Sequence, residues 1–462
     1  MPTVTAGKTR IGLVSLGCPK NLVDSEEMLG ALVESGQAEL VGDARQADVV
    51  VINTCGFIES AKKESIDAIL EAIGRKKRGE ISKVVVAGCL AQRYATELSA
   101  EIPEVDAYLG IQSAGQVADA IFGASPARRL TGLGLPMAGA MPRNQVAPLE
   151  DKYPLIPAPR IRATAPWTAY LKVSEGCDHA CTFCSIPSFR GRHRSKPIER
   201  VLEEARRLVD SGASELNLIA QDTTAYGMDL YQELALPRLL EGLGGISGLR
   251  WVRLLYCYPT MMTDRLIKTM AETPNVAHYV DIPLQHGDDG MLKRMKRGGS
   301  QTSYLRLFER LRAAMPDLTI RTTFMVGFPG EDSAAHANLK KFVTESRFDR
   351  LGVFEYSPEE GTPGFALRPR VPARIAAQRR NEIMALQQPI SLAINQSLVG
   401  TEMVVLIEGR HADAAWSARS WRDAPEIDGA VLVKGAPSAA PGEWVRVRVT
   451  EARPYDLVSQ AI

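Results

Sequence analysis

Short apolar, β-branched runs at residues 9–16, 47–52 and 83–87 have the length and composition of strands buried in a parallel sheet. Stretches with helical spacing, 24–35 and 58–77, lie between them, so residues 9–123 are predicted to form an open parallel α/β sheet. Residues 124–160 are rich in Pro, Gly, Ala and Arg without a sustained period, the pattern of a linker. A second alternation fills residues 161–395. Apolar runs at 167–173, 215–220, 251–256, 278–282, 318–325 and 351–356 are separated by helical patterns such as 197–211 and 303–314. Six strands alternating with helices predict a parallel sheet curved as a partial (β/α) barrel, with chemistry at its C-terminal strand ends. A helical stretch at 372–397 leads into residues 396–462, where 402–408, 430–433 and 444–451 show strand patterns between Gly, Pro and Asp turns. That segment predicts a small antiparallel β-barrel.

Composition narrows the function classes. At 462 residues the chain has room for about three domains. Its 45% apolar and 24% charged residues are those of an ordinary globular protein. A net charge of +1 excludes a global polyelectrolyte, so any contact with RNA must be local. The first residues contain no apolar signal-peptide core, and no apolar run is long enough to span a bilayer. The expectation is a cytoplasmic protein without a membrane contact. Seven cysteines in a reducing compartment then point to metal or redox work.

Three of them fall in Glu175-Gly176-Cys177-Asp178-His179-Ala180-Cys181-Thr182-Phe183-Cys184. Thiols at this spacing can reach one cubane iron–sulfur cluster and leave one iron without a protein ligand. A small molecule can bind that open iron, whereas a cluster held by four cysteines usually only relays electrons. Structural zinc normally takes four ligands. His179 or His193 could complete such a set, but neither stands at a zinc-finger spacing. The first α/β segment carries three more cysteines, in Leu16-Gly17-Cys18-Pro19, Asn53-Thr54-Cys55-Gly56 and Ala87-Gly88-Cys89-Leu90. Each follows a predicted strand. Loops at the carboxyl ends of such strands converge on one crevice, so Cys18, Cys55 and Cys89 form a second candidate set of cluster ligands. A single buried cysteine is a small hydrophobe, and that reading is kept for Cys257, which has no cluster partner in sequence. His286 stands equally as a structural residue or a ligand.

Polar, glycine-containing segments follow the strands of the middle domain. Residues 220–227, 283–287, 323–331 and 356–359 occupy those positions. Glycine allows close backbone approach, and Gln, Thr and Asp can hydrogen-bond an amino acid or a ribose.

The two cysteine triads, the six-strand barrel and the terminal β-module together resemble the methylthiotransferases, and the aromatic residue before Cys184 fits the radical S-adenosylmethionine (SAM) signature. The resemblance covers nearly the whole chain. It implies an N-terminal domain with an auxiliary cluster, a radical SAM domain and a C-terminal TRAM module. It implies two [4Fe-4S] clusters, one held by Cys18, Cys55 and Cys89 for sulfur delivery, the other by Cys177, Cys181 and Cys184 for radical generation. Phe183, Gln221, Asp222, Thr223, Gln285, Thr323, Gly327 and Tyr356 are the expected SAM contacts, and Arg190, Arg192 and Arg194 the expected substrate contacts. The partners implied are an electron donor such as flavodoxin or ferredoxin, and a sulfur donor.

Several segments look like the branch that modifies the β-carbon of an aspartate in the twelfth protein of the small ribosomal subunit. These are residues 15–26, 55–62 and 189–192, and Asp423-Ala424-Pro425-Glu426-Ile427-Asp428-Gly429 in the module. Residues 399–462 hold seven Lys and Arg against nine Asp and Glu. An RNA-gripping module should be basic, so this balance suits a basic protein partner. The basic run at 190–196 cuts the other way. It could touch RNA or an acidic protein loop, or be a solvated charged loop. Two rival functions therefore stand beside the first: a tRNA adenosine methylthiotransferase, and a non-catalytic iron–sulfur protein that binds RNA or assists ribosome assembly.

Overall fold

The computed structural model describes residues 8–111, 114–123, 143–149, 153, 159–411, 415–436 and 438–462. Contacts divide it into two compact units. The first is built on the N-terminal sheet and includes Glu175–Asp178 and Ser185–Arg194; the second holds the rest of the barrel sheet and the terminal β-module together. The chemistry-bearing segment is thus divided differently from the expected boundaries, and the linker expected at 124–160 lies largely outside the described residues.

In the first unit, β1 (Thr9–Ser15), β2 (Ala38–Leu40), β3 (Val49–Thr54), β4 (Lys83–Gly88) and β5 (Ala107–Tyr108) form one parallel sheet in the order β2-β1-β3-β4-β5. Helices α1 (Pro19–Glu34) and α4 (Ala114–Phe122) cover one face, and α2 (Glu59–Lys77) and α3 (Cys89–Glu101) the other. Strand alternation explains the two layers. Val50, Ile52, Val84 and Val86 pack under α2 and α3, while Ile11, Val49, Val51 and Val85 pack under α1 and α4. The strand order reverses between β1 and β3, and ligand sites in open α/β sheets form outside the carboxyl ends at that switch. Cys18 follows β1 and Cys55 follows β3.

The second unit contains the strands β6 (Thr168–Lys172), β7 (Glu215–Ile219), β8 (Trp251–Leu254), β9 (Val276–Gln285), β10 (Thr319–Val326) and β11 (Arg350–Glu355). They pair in parallel in sequence order as an open sheet. Ala169, Leu171, Leu216, Leu218, Val252, Leu254, Val280 and Ile282 face the helices in one apolar core. The alternate residues are polar. Glu215 accepts from Thr168 Oγ1 at 3.0 Å, and Arg321 Nη1 donates to Asp281 at 2.8 Å. Full barrels normally fill this space with branched apolar side chains. Here ion pairs fill it.

After α5 (Ala373–Gln396) the chain forms a closed barrel of β12 (Glu402–Arg410), β13 (Trp416–Arg419), β14 (Val431–Lys434), β15 (Trp444–Ala452) and β16 (Leu457–Ala461). Met403, Val405, Ile407, Trp416, Val431, Val433, Val447 and Leu457 form its core. The end of β13 and the segment after it supply ion pairs to the polar face of the large sheet. Arg419 reaches Glu215 at 2.7 Å, Arg422 reaches Asp349 at 2.6 Å, and Asp423 accepts from Arg350 at 2.7 Å. Asp428 accepts from Tyr279 at 2.7 Å. Two acids of the 423–429 segment are therefore internal. Two arginines of the module, Arg419 and Arg422, are internal as well, so its outward charge balance is unchanged by the docking. Among the described residues no helix is long and apolar enough to cross a membrane.

Candidate active site

Cys18 is the N-cap of α1, with Pro19 at the first helical position, where its missing N–H costs nothing. Cys55 lies in the turn after β3, and its N–H donates to Ser65 Oγ at 3.0 Å. Cys89 opens α3. Their glycine neighbours have a steric cause. Gly17 has φ +89°, and a Cβ there would lie 2.9 Å from Cys55 Sγ. Gly88 has φ +94°, and a Cβ there would lie 2.2 Å from Asn53 Oδ1. Both backbones are in the region open to glycine and strained for other residues. Asn21 stitches the loops together, donating to Leu16 O at 2.7 Å and Asn53 O at 3.2 Å.

Cys55 and Cys89 are buried and Cys18 is partly open. Burial pushes the Cys89 thiol up to about 12, against the pull of the nearby Arg190 cation, and it also raises Cys55. Metal must therefore displace protons from these sulfurs when it binds.

Arg190 corrects one expectation. It was placed among the substrate contacts, yet it is 2% exposed and fixed by partners within the first unit. Nη1 donates to both oxygens of Glu175 at 2.9 Å, and Nη2 donates to Asp24 at 3.0 Å. Nε and Nη2 lie 3.3 and 3.1 Å from Cys89 Sγ. Arg194 is buried too, donating to Arg190 O at 3.1 Å. Only Arg192 of the three is exposed. The run 190–196 is thus not a solvated loop.

In the second unit Cys181 and Phe183 are buried with Met291, Met295 and Phe328, and Cys184, Met325 and Tyr356 pack against them. Cys177 is partly open, and its N–H donates to Gly191 O at 3.1 Å. Arg297 Nη1 stands 3.8 Å from Cys181 Sγ, with its guanidinium stacked on the Tyr258 ring at 3.9 Å. The other face of Tyr258 carries His179 at 3.7 Å. Among the described residues no three His, Cys, Asp or Glu side chains are arranged to hold a single metal ion. Thiols in a mostly apolar setting, with arginine donors beside two of them, suit iron–sulfur clusters.

The expected SAM contacts separate into two groups. Gln221, Gln285 and Tyr356 are partly open at or just beyond the carboxyl ends of their strands, and Thr323 is partly open within β10. Gln285 sits at φ +75°, a strained value for a non-glycine residue and one common at functional sites. Asp222 and Thr223 are corrections. The Asp222 carboxylate takes bonds from Thr224 N and Oγ1 and pairs with His179 at 2.6 Å, and Thr223 Oγ1 donates to Leu255 O at 2.6 Å. Both side chains are engaged within the protein and shape the turn. Gly327, at φ +81°, donates its N–H to buried Glu331. That carboxyl is held down at about 2, although burial opposes this, by His286, His336 and the Gly327 N–H. His286 Nδ1 accepts from Asp288 N at 2.9 Å, and its Nε2 lies 3.7 Å from Glu331 Oε1. Cys257 lies in the apolar core, where burial raises its thiol well above normal.

Sequence reasoning missed Tyr256, which has φ +60° just beyond β8. Its N–H donates to Asp281 at 3.0 Å and its carbonyl accepts from Thr223 N at 3.0 Å. Nothing in the sequence marks that conformation.

Three family models match the chain: "Uncharacterized protein family UPF0004" at residues 10–110, the radical SAM superfamily at 171–343 and the TRAM domain at 399–462. A curated relative from Anaeromyxobacter sp. (strain Fw109-5), "Ribosomal protein uS12 methylthiotransferase RimO", is 46% identical over 98% of this chain and 93% of its own length. The protein of the same description from Caldanaerobacter subterraneus subsp. tengcongensis is 44% identical over 97% of this chain and 99% of its own. Among solved structures, the radical SAM methyltransferase TsrM from Kitasatospora setae, with cobalamin and a [4Fe-4S] cluster bound, superposes with a TM-score of 0.53. It shares 14% identity and covers 94% of this chain and 84% of its own, a likeness of fold alone.

Proposed function

Because the chain belongs to the ribosomal protein uS12 methylthiotransferase (RimO) family, we infer that it is a radical SAM methylthiotransferase acting on uS12. The carrying observation is identity at 46% over 98% of the chain. The protein uses SAM and an iron–sulfur cluster, as its radical SAM domain requires.

The finer assignment is our reading of the residues. Cys177, Cys181 and Cys184 hold one [4Fe-4S] cluster, and Cys18, Cys55 and Cys89 hold a second. When bound, the first supplies the electron that cleaves SAM and the second gives sulfur an open iron, chemistry beyond ordinary side chains. The chain's own residues bind, orient and shield. Gln221, Gln285, Thr323 and Tyr356 offer polar groups to the amino acid and ribose of SAM, and Gly327, whose missing Cβ lets Ala376 pack close, sets the backbone beside them. Phe183, Met291, Met295 and Phe328 keep water from Cys181 and Cys184. Arg192 remains the exposed cation of this run, offered to an acidic protein loop or to RNA around the substrate. A flavodoxin or ferredoxin would supply electrons, and a separate donor sulfur, in the cytoplasm. Domain limits near 9–123, 161–395 and 396–462 follow from the same reading.

Incubating reduced enzyme and SAM with uS12, and separately with tRNA, tests the substrate. Mass spectrometry should find a methylthio group on one aspartate of uS12; modification of tRNA alone would reverse the assignment.

The glycine geometry gives a second expectation. Gly17→Ala should crowd Cys55 Sγ and lower bound iron from about eight per chain toward about four, with 5′-deoxyadenosine still produced on reduction. Iron near the parent value would refute the steric argument.

A further inference from the structure

We propose that Arg190 sets the reduction potential of the auxiliary cluster by donating N–H bonds to the ligand sulfur of Cys89. The proposal rests on the reading that Cys18, Cys55 and Cys89 hold a cluster. Arg190 ends the short helix Ile186–Arg190, and Phe189 beside it packs on Cys89. Two of its nitrogens face Sγ at 3.3 and 3.1 Å, and the guanidinium is held there from its other edges. Glu175 takes Nη1 with both oxygens and Asp24 takes Nη2. All three nitrogens are engaged, so the planar fork has one orientation. Asp24 lies on α1, which begins just after Cys18, and Glu175 stands two residues before Cys177.

The electrostatics are directional. Two carboxylates oppose one cation, so the trio alone is net negative, yet the positive edge is the part turned toward sulfur. Donors to a ligating thiolate withdraw electron density and favour the more negative, reduced cluster. A lysine could keep the charge but would lose the fork, delivering at most part of the effect. A merely structural Arg190 would fill the same buried site without influencing the cluster.

The experiment isolates one centre. Full-length protein with Cys177, Cys181 and Cys184 changed to Ala is reconstituted without oxygen and titrated electrochemically, with EPR reporting the reduced cluster. Arg190→Met should make reduction at least about tenfold less favourable, a fall of about 59 mV for one electron. Arg190→Lys should fall between it and the parent. Exchangeable-proton coupling to the reduced cluster should weaken in the same order. An unchanged midpoint in cluster-loaded Arg190→Met overturns the proposal. If that variant fails to fold or load, an unchanged midpoint and unchanged proton coupling in Arg190→Lys overturn it. A parent with no cluster at all would instead remove the premise, a different and recognisable failure.

Discussion

Replacing Cys18, Cys55 and Cys89 by alanine should abolish methylthiolation of uS12 while 5′-deoxyadenosine production continues. The expectation follows from where the three residues sit. Each stands just beyond the carboxyl end of a parallel strand of the first unit, two of them at the switch between β1 and β3. Their loss should remove the proposed sulfur seat and leave the Cys177, Cys181 and Cys184 set intact. Bound iron should fall by half. Product analysis by mass spectrometry, with nucleoside chromatography on the same samples, checks both parts. Continued methylthiolation would show that the sulfur comes by another route.

The second large effect is on stability. Glu215 is fully buried between Arg253 and Arg419, accepting at 3.1 and 2.7 Å, with Thr168 as a further donor. Glu215→Ala would leave two buried guanidinium groups facing each other. Breaking a buried pair by removing one partner costs about 3–5 kcal/mol, and urea denaturation should show a loss of that size. Burial pushes the Glu215 carboxyl up, but Arg419 and Arg253 overcome this and hold it near 2. A carboxyl depressed in the folded state stabilises above its unfolded value. That contribution should disappear as pH falls from about 4.5 through about 2. Glu215→Gln should flatten this part of the stability profile; an equally steep profile would refute the assignment.

Strand positions in the N-terminal sheet were legible as near-continuous apolar runs, and those of the middle segment as short β-branched runs in which apolar and polar residues alternate. Short edge strands were not: Ala38–Leu40 and Ala107–Tyr108 carry too few residues for a period. In the terminal module, Trp416–Arg419 and Leu457–Ala461 were missed as well. The six cysteines with cluster spacing or strand-end position stood out because such spacing has little other use. Arg190 did not. Its partner Asp24 is 166 residues away, so a buried salt-bridged arginine looked like part of a solvated basic run. The segment 423–429 was legible as a likeness but not in its work, since its acids pair with Arg350 and Tyr279 of distant strands. Asp222 and Thr223 misled because turn-forming and ligand-binding side chains are the same residue types.

Mössbauer spectroscopy of anaerobically reconstituted protein tests the central claim most directly. Two cubane clusters, about eight irons per chain, should appear, and added SAM should alter one iron of a single cluster. One cluster alone, bound zinc, or no iron that responds to SAM would contradict it.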